Sequence, residues 1–474
     1  MCPGEHRTMN DFYPPLVTKP LPKAIPKRKA FGVGVIALGL AIGSGPLILW
    51  PHLVATFGLG ILWGGFLGII LQYFINQEVA RNSLATGESF FMSVTRVFPR
   101  LIFVWLVSAL LLYMWPGWAG AMGTILTILF GFGNATIWSW VSLSLVLGFM
   151  FSGKSAYSVM EKGIKFIMFF FFVLLIVASV MHLDVLIVKD ALRGMVRFGW
   201  FPNGIDTSVF MAAMIFAGAG GLLNVCISFW YRDKGFGMGA YSGRIENPIT
   251  GTVSAVSESG FRFDTTPENL KNWRNWMNLV RIDQLVFFGF FGLLGLLLLS
   301  MNAFAILSPG NIVPSGVEII EAQAHVFGNI WGALGYKGFL VMAYLALFSS
   351  LWIILDVFTR IVSDIVYTNA HNGPFKKYFS WAHDVTVHHI YYAFFVFLVI
   401  VNAVLIPFGQ PFFFLVTSAV LGGVVMTIYT PLLLYINNTR LPKEIRPSWF
   451  TNIMLCIATI VFAYFSIQIL LGFI

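Results

Sequence analysis

The chain has 474 residues, of which 58% are apolar and only 10% are Asp, Glu, Lys or Arg, with a mean hydropathy of +0.82. Soluble domains carry about a quarter charged residues, so a chain this poor in charge cannot cover several hundred residues of water-facing surface, and lipid must serve as part of its solvent. That excludes a cytosolic enzyme, a nucleic-acid binder and a disordered scaffold, and it makes the formal charge of +9 a question of where the basic residues stand.

Residues 1–30 read as a polar cytoplasmic tail, rich in proline and ending in the basic run Lys27-Arg28-Lys29. No apolar core precedes them, so a cleaved signal peptide is not expected. A helix needs about 20 apolar residues to cross a ~30 Å hydrocarbon layer. About eleven stretches qualify, near 31–55, 58–80, 101–131, 135–152, 164–188, 206–231, 283–307, 337–362, 388–408, 411–437 and 448–473. With the N-terminus inside, 25 of the 29 Lys and Arg fall on the cytoplasmic side, leaving Lys189, Arg193, Arg197 and Lys337 outside. The basic balance is therefore a topology signal. The expected architecture is an all-α polytopic membrane protein of the plasma or inner membrane. Cys2, Cys226 and Cys456 lie far apart and fit no metal or redox spacing.

The cytoplasmic loop 235–281 closes with Thr266-Pro267-Glu268, which reads as an N-cap, a proline at the first helical position and an acid in the first turn. Trp273 and Trp276 beside basic residues suggest an interfacial helix there. A short outer helix is expected within 308–336.

A helix has no reason to break in mid-bilayer unless a cavity or neighbour satisfies the freed backbone. The first stretch contains Gly43-Ser44-Gly45-Pro46, about 18 Å along the helix from Phe31. The sixth contains Gly218-Ala219-Gly220-Gly221. These breaks lie five stretches apart, on helices running in opposite directions, which is the pattern of a central site between two inverted repeats.

The segment from Gly43-Ser44-Gly45-Pro46 through Phe57-Gly58 and Trp63 to Leu71-Gln72 and Ala85-Thr86-Gly87 resembles the first two spans of natural resistance-associated macrophage protein (Nramp) transporters. The resemblance implies the LeuT-type fold of five plus five inverted helices and an eleventh, with halves at 31–200 and 201–437 and the last helix at 448–474. It also implies divalent-metal transport. The family's metal-ligating Asp and Asn, however, align with Gly43 and Pro46, and its methionine and histidine of the sixth span are replaced by residues from Gly220 to Asn224. No thioether or carboxylate stands at those positions to select a transition metal.

Other polar residues inside apolar stretches are functional candidates. Ser349 and Ser350 fall near the midplane of the eighth span, where the resemblance to LeuT-type transporters implies a sodium site completed by carbonyls of the first break. The alternative is that their hydroxyls bond back to their own helix. Asp356 lies on nearly the same face and pairs with Arg360 at i+4, a candidate inner gate or ion relay. Gln72 and Asn76 share a face of the second span and are expected to hold neighbouring helices. Asn224 and Ser44 are the side chains nearest the breaks. Tyr113, Trp115, Pro116 and Trp118 kink the third span and offer an aromatic wall. His371, His383, His388 and His389 match no rigid metal spacing, and no Walker, zincin or dinucleotide motif is present.

The leading expectation is a secondary transporter of a small solute or metal ion, Nramp-like with the usual metal-ligand positions lost, coupled to sodium or protons and without a cofactor. The alternatives are a sodium-coupled transporter of a neutral or zwitterionic organic solute and a non-transporting receptor or assembly protein. The expected solute-binding residues are Gly43, Ser44, Gly45, Pro46, Gly218, Ala219, Gly220, Gly221 and Asn224.

Overall fold

A computed structural model describes residues 13–26, 30–43, 45–152, 156–245, 257, 259–308, 314 and 316–472, so Ser44 and the middle of the 235–281 loop lie outside the described residues. Among the described residues, nine helices are long and apolar enough to cross a membrane: Val33–Phe57, Leu59–Thr86, Leu101–Phe130, Tyr157–Met181, Pro267–Leu307, Glu318–His371, Val387–Phe408, Pro411–Thr439 and Trp449–Gly472. Two expected stretches are shorter. The fourth is a helix of 17 residues, Ala135–Phe151, and the sixth is divided into Thr207–Phe216 and Leu223–Asp233.

Burial is inverted relative to a water-soluble protein. Phe132, Phe169, Val180, Phe408 and Ile460 are exposed, whereas Gln72, Asn76, Asn224, Ser349, Ser350, Asp356 and Arg360 are fully buried. An apolar exterior around a hydrogen-bonded polar interior is the arrangement lipid demands. The chain is an integral, multi-pass, all-α membrane protein. The first span packs on the fifth and eighth, and the divided sixth packs on the second and tenth.

One loop expectation changes and one holds. The helix after Thr266 is not a separate interfacial element but runs from Pro267 through a π-helical turn, Gln284–Phe291, into Gly292–Leu307. Its tryptophans face the protein, because the proline-rich tail supplies a partner that a lone helix lacks. Trp276 Nε1 donates to the Pro22 carbonyl at 2.9 Å, and the Trp273 ring lies 5.8 Å from Phe263. The outer helix begins at Glu318 and runs into the eighth span across a kink at Trp331 and Gly332, where φ is +61° at the glycine.

Residues 13–26 of the tail lie against the protein. Strand β1 (Val17–Thr18) pairs in parallel with β2 (Phe261–Arg262), Val17 opposite Phe261. The Tyr13 hydroxyl donates to Asn369 Oδ1 at 2.7 Å, Arg96 Nη1 to the Pro14 carbonyl at 2.7 Å, and the Tyr241 hydroxyl to the Pro20 carbonyl at 2.9 Å. The tail thus ties the inner ends of the second, third, sixth and eighth spans.

Candidate functional site

The first span is helical over Val33–Ile42 and resumes as a π-helical turn, Gly45–Leu49, that leads into Trp50–Phe57. Gly43 keeps right-handed angles (φ −71°, ψ −19°), so its glycine is needed for space. A Cβ there would collide with Ser350 Oγ and lie 2.9 Å from the Ala346 carbonyl. A Cβ on Gly45 would run into the Phe216 carbonyl. Backbone therefore lies on backbone where the first and sixth breaks meet.

The sixth break differs in kind. Helix Thr207–Phe216 ends, Gly220 and Gly221 adopt φ of +67° and +55°, and the helix restarts at Leu223. Such left-handed angles are open to glycine at little cost. Gly218 is required for close approach, since its Cβ would lie 2.5 Å from Gln72 Oε1.

Gln72 spans this gap. Its Oε1 accepts the Gly220 N–H at 2.7 Å, and its Nε2 donates to the Ile215 carbonyl at 2.9 Å. One turn along the second span, Asn76 Oδ1 accepts from Asn224 Nδ2 at 2.8 Å, and Asn76 Nδ2 donates to Gln284 Oε1 at 3.1 Å. Gln284 Nε2 donates to Tyr231, whose hydroxyl donates to Asp283 Oδ2, each at 3.1 Å. Asp283 then accepts the N–H groups of Gly32 and Gly34 at 3.2 and 2.7 Å, at the start of the first helix. This chain joins the first, second, sixth and seventh spans. It includes Asn224, whose Nδ2 donates to Asn76 and whose Oδ1 lies 3.5 Å from the Tyr429 hydroxyl.

The inner end of the first helix is held from the other side too. Lys165 and Lys234 both donate to the Phe31 carbonyl, at 2.8 and 2.9 Å, and Glu161 Oε1 bridges the two ammonium groups at 2.6 Å each. Burial pulls the Lys234 ammonium below the usual lysine value, and the hydrogen bond to Glu161 opposes that shift.

The serine hydroxyls bond both back to their own helix and across to the first span. Ser349 Oγ lies 3.0 Å from the Gly39 carbonyl and 2.8 Å from that of Ala346. Ser350 Oγ lies 3.1 Å from both the Gly39 and Leu40 carbonyls and 3.2 Å from Ala346. Five oxygens from the first and eighth spans thus converge beside Gly43.

Toward the inner side, Asp356 accepts from Arg360 Nε at 2.7 Å, as the i+4 spacing implies, and also from Trp230 Nε1 at 3.1 Å and the Tyr391 hydroxyl at 2.5 Å. Arg360 reaches Asp233 Oδ2 at 2.6 Å. Asp233, Trp230 and Tyr391 were not singled out in the sequence. The only local signal was a Trp, Arg and Asp within one turn at the end of the sixth span.

The third span breaks at Met114–Pro116, between Leu101–Tyr113 and Gly117–Phe130. Its freed carbonyls are taken by other helices: Ser418 Oγ donates to Leu112 O at 2.6 Å and Asn402 Nδ2 to Tyr113 O at 3.3 Å. The Trp118 ring lies 5.5 Å from Phe216. Elsewhere, Glu78 pairs with Arg81 at 2.8 Å, and His52 Nδ1 lies 3.3 Å from the Pro314 carbonyl. Among the described residues, no three His, Cys, Asp or Glu gather as a metal site.

No protein-family model and no curated protein sequence matches the chain. Solved structures do. A variant of the manganese transporter of Eremococcus coleocola superposes with a TM-score of 0.58 at 12% identity, covering 97% of this chain and 90% of that one. Mhp1, a nucleobase-cation-symport-1 family transporter in a closed conformation with bromovinylhydantoin bound, gives 0.51 at 14% identity, covering 94% and 84%. MhsT in complex with L-phenylalanine gives 0.55 at 14% identity, covering 93% and 97%. At such identities the likeness speaks for fold alone, and the chain has the LeuT-type fold shared by these three transporters.

Proposed function

We propose that the chain is a secondary transporter working by alternating access, and that it couples a small organic solute to sodium. The observation that carries this reading is the convergence of Ser349 Oγ, Ser350 Oγ and the Gly39, Leu40 and Ala346 carbonyls. Uncharged hard oxygens suit a weakly held hard monovalent cation, which must also leave. The residues at the two breaks, Gly43, Gly45 and Pro46 with Gly218 to Gly221, form the hub on which the halves meet. The Asp356–Arg360–Asp233 cluster serves as the inner gate, since it joins the eighth span to the sixth on the cytoplasmic side. The likeness to the manganese transporter favours a second reading, a hard or partly hydrated metal ion held by carbonyls and water.

The test is uptake into proteoliposomes, comparing neutral amino acids, nucleobases, Mn²⁺ and Mg²⁺ with sodium or proton gradients. Sodium-driven accumulation of an organic solute is expected. Accumulation of metal alone would select the second reading, and no flux of any solute would leave a non-transporting membrane protein.

A further inference from the structure

We propose that the cytoplasmic face carries a recognition groove for an extended proline-rich peptide, and that residues 13–26 of the chain occupy it as a strap that holds the inner side shut.

Five of the fourteen strap residues are proline: Pro14, Pro15, Pro20, Pro22 and Pro26. Proline has no N–H, and an extended proline-rich backbone makes no internal hydrogen bonds, so its carbonyls need donors from outside. Receptors for such peptides meet them with aromatic-lined grooves. The inner surface supplies this complement. Arg96 Nη1 donates to the Pro14 carbonyl at 2.7 Å, the Tyr241 hydroxyl to Pro20 at 2.9 Å, and Trp276 Nε1 to Pro22 at 2.9 Å. Between them, Val17 N donates to the Gly260 carbonyl at 3.3 Å and Lys19 N to that of Arg262 at 2.9 Å. The Lys19 ammonium sits over the Tyr241 and Phe261 rings, 4.6 and 4.7 Å from their centres, and Leu21 is buried.

The groove is braced independently of its occupant. Glu88 Oε1 accepts from Arg96 Nε at 2.7 Å and from the Gly260 N–H at 3.0 Å. One buried carboxylate thus aims the guanidinium at Pro14 and fixes the strand on which the strap pairs.

What the strap joins decides its effect. Arg360 and Asp233 tie the eighth span to the sixth. Asn369 lies about 13 Å further along the eighth span toward the cytoplasm, and its Oδ1 accepts the Tyr13 hydroxyl at 2.7 Å. Tyr241, Phe261 and Trp276 all belong to the connection between the sixth and seventh spans. The strap therefore crosses the same boundary as the Arg360–Asp233 pair, and parting the two sides must release both. Its separate hydrogen bonds are each of modest net worth, so it can be released and remade.

The experiment follows backbone hydrogen exchange of the full chain in detergent. Val17→Pro removes the N–H that pairs with Gly260 from a residue whose side chain is exposed. Tyr13→Phe cuts the bond to Asn369. Each should speed exchange about fivefold, the worth of one hydrogen bond. The increase is expected in the strap and also in Val33–Ile42 and Leu223–Asp233, the inner parts of the first and sixth spans. A tethered strap competes at an effective concentration of about millimolar. In the double variant, a synthetic peptide of residues 13–26 at that concentration should restore slow exchange. The same peptide with its prolines replaced by alanine should be at least tenfold weaker. Faster exchange in the strap with both inner parts unchanged would overturn the strap's role, and no restoration by the peptide would overturn the groove. The measurement needs no transported solute, so its failure and that of the transporter reading are told apart.

Discussion

Arg360 Nη1 donates to Asp233 Oδ2 at 2.6 Å while its Nε holds Asp356 at 2.7 Å, so one guanidinium on the eighth span stands between two carboxylates that water does not reach. Removing one member of a buried ion cluster leaves the rest uncompensated, at a cost of about 3–5 kcal/mol. Arg360→Met is therefore expected to lower the apparent melting temperature in detergent by several degrees. Arg360→Met combined with Asp233→Asn and Asp356→Asn should recover much of that loss. A single variant as stable as wild type would show that the cluster is not held together in the membrane.

Replacing both Ser349 and Ser350 by alanine deletes two of the five oxygens beside Gly43 but leaves the carbonyls in place. The expected result is a sodium half-saturation raised at least tenfold, with the solute preference order kept. Uptake with unchanged sodium dependence would refute the sodium site.

The two breaks should respond differently to substitution of their glycines. Gly45→Leu must push the first break off the Phe216 carbonyl, so uptake should be lost in a protein that remains monodisperse on size exclusion. Gly220→Ala forces an L side chain into left-handed angles and should cost about 1–2 kcal/mol, seen as a lowered melting temperature. Unchanged uptake by Gly45→Leu would sink the assignment of the breaks as the hub.

The tail offers a pH test. Burial, opposed by hydrogen bonding, raises the Tyr13 phenol above the ordinary value of 10. A raised acid contributes stability that is fully present below the unfolded value and is lost as pH rises through the folded one. Protection of the tail backbone from hydrogen exchange should therefore hold up to about pH 10 and fall at higher pH. Tyr13→Phe should flatten that dependence and, by losing the bond to Asn369, weaken the tail by about 1 kcal/mol.

Local chemistry was legible in the sequence. The glycines at 43–45 and 218–221, the proline kink after Tyr113 and the i+4 pairing of Asp356 with Arg360 are written in short windows. Relations set by helix packing were not. Asp233 lies 127 positions from Arg360 and Tyr391 lies 35 from Asp356, so neither partner could be chosen before the helices were placed. The tryptophans of the 267–283 helix misled for a related reason. Their basic neighbours match an interfacial anchor, and only the tail laid beneath them shows that they face inward. Gly43 and Gly220 looked equivalent as letters, yet one is small for a neighbour and the other for its own backbone angles.

The Gln72 amide has a further consequence. It meets the two stumps of the sixth span with a carbonyl and an N–H₂, the two groups a peptide unit would have offered. The second span in effect lends the sixth a piece of backbone. A joint mended by a borrowed amide can be unmade without breaking any helical turn, and whatever enters to replace Gln72 must itself present both a donor and an acceptor. Gln72→Leu should therefore trade a reversible joint for a loose one, while Gln72→Glu keeps the acceptor and gives up the donor, which separates the two halves of the splice.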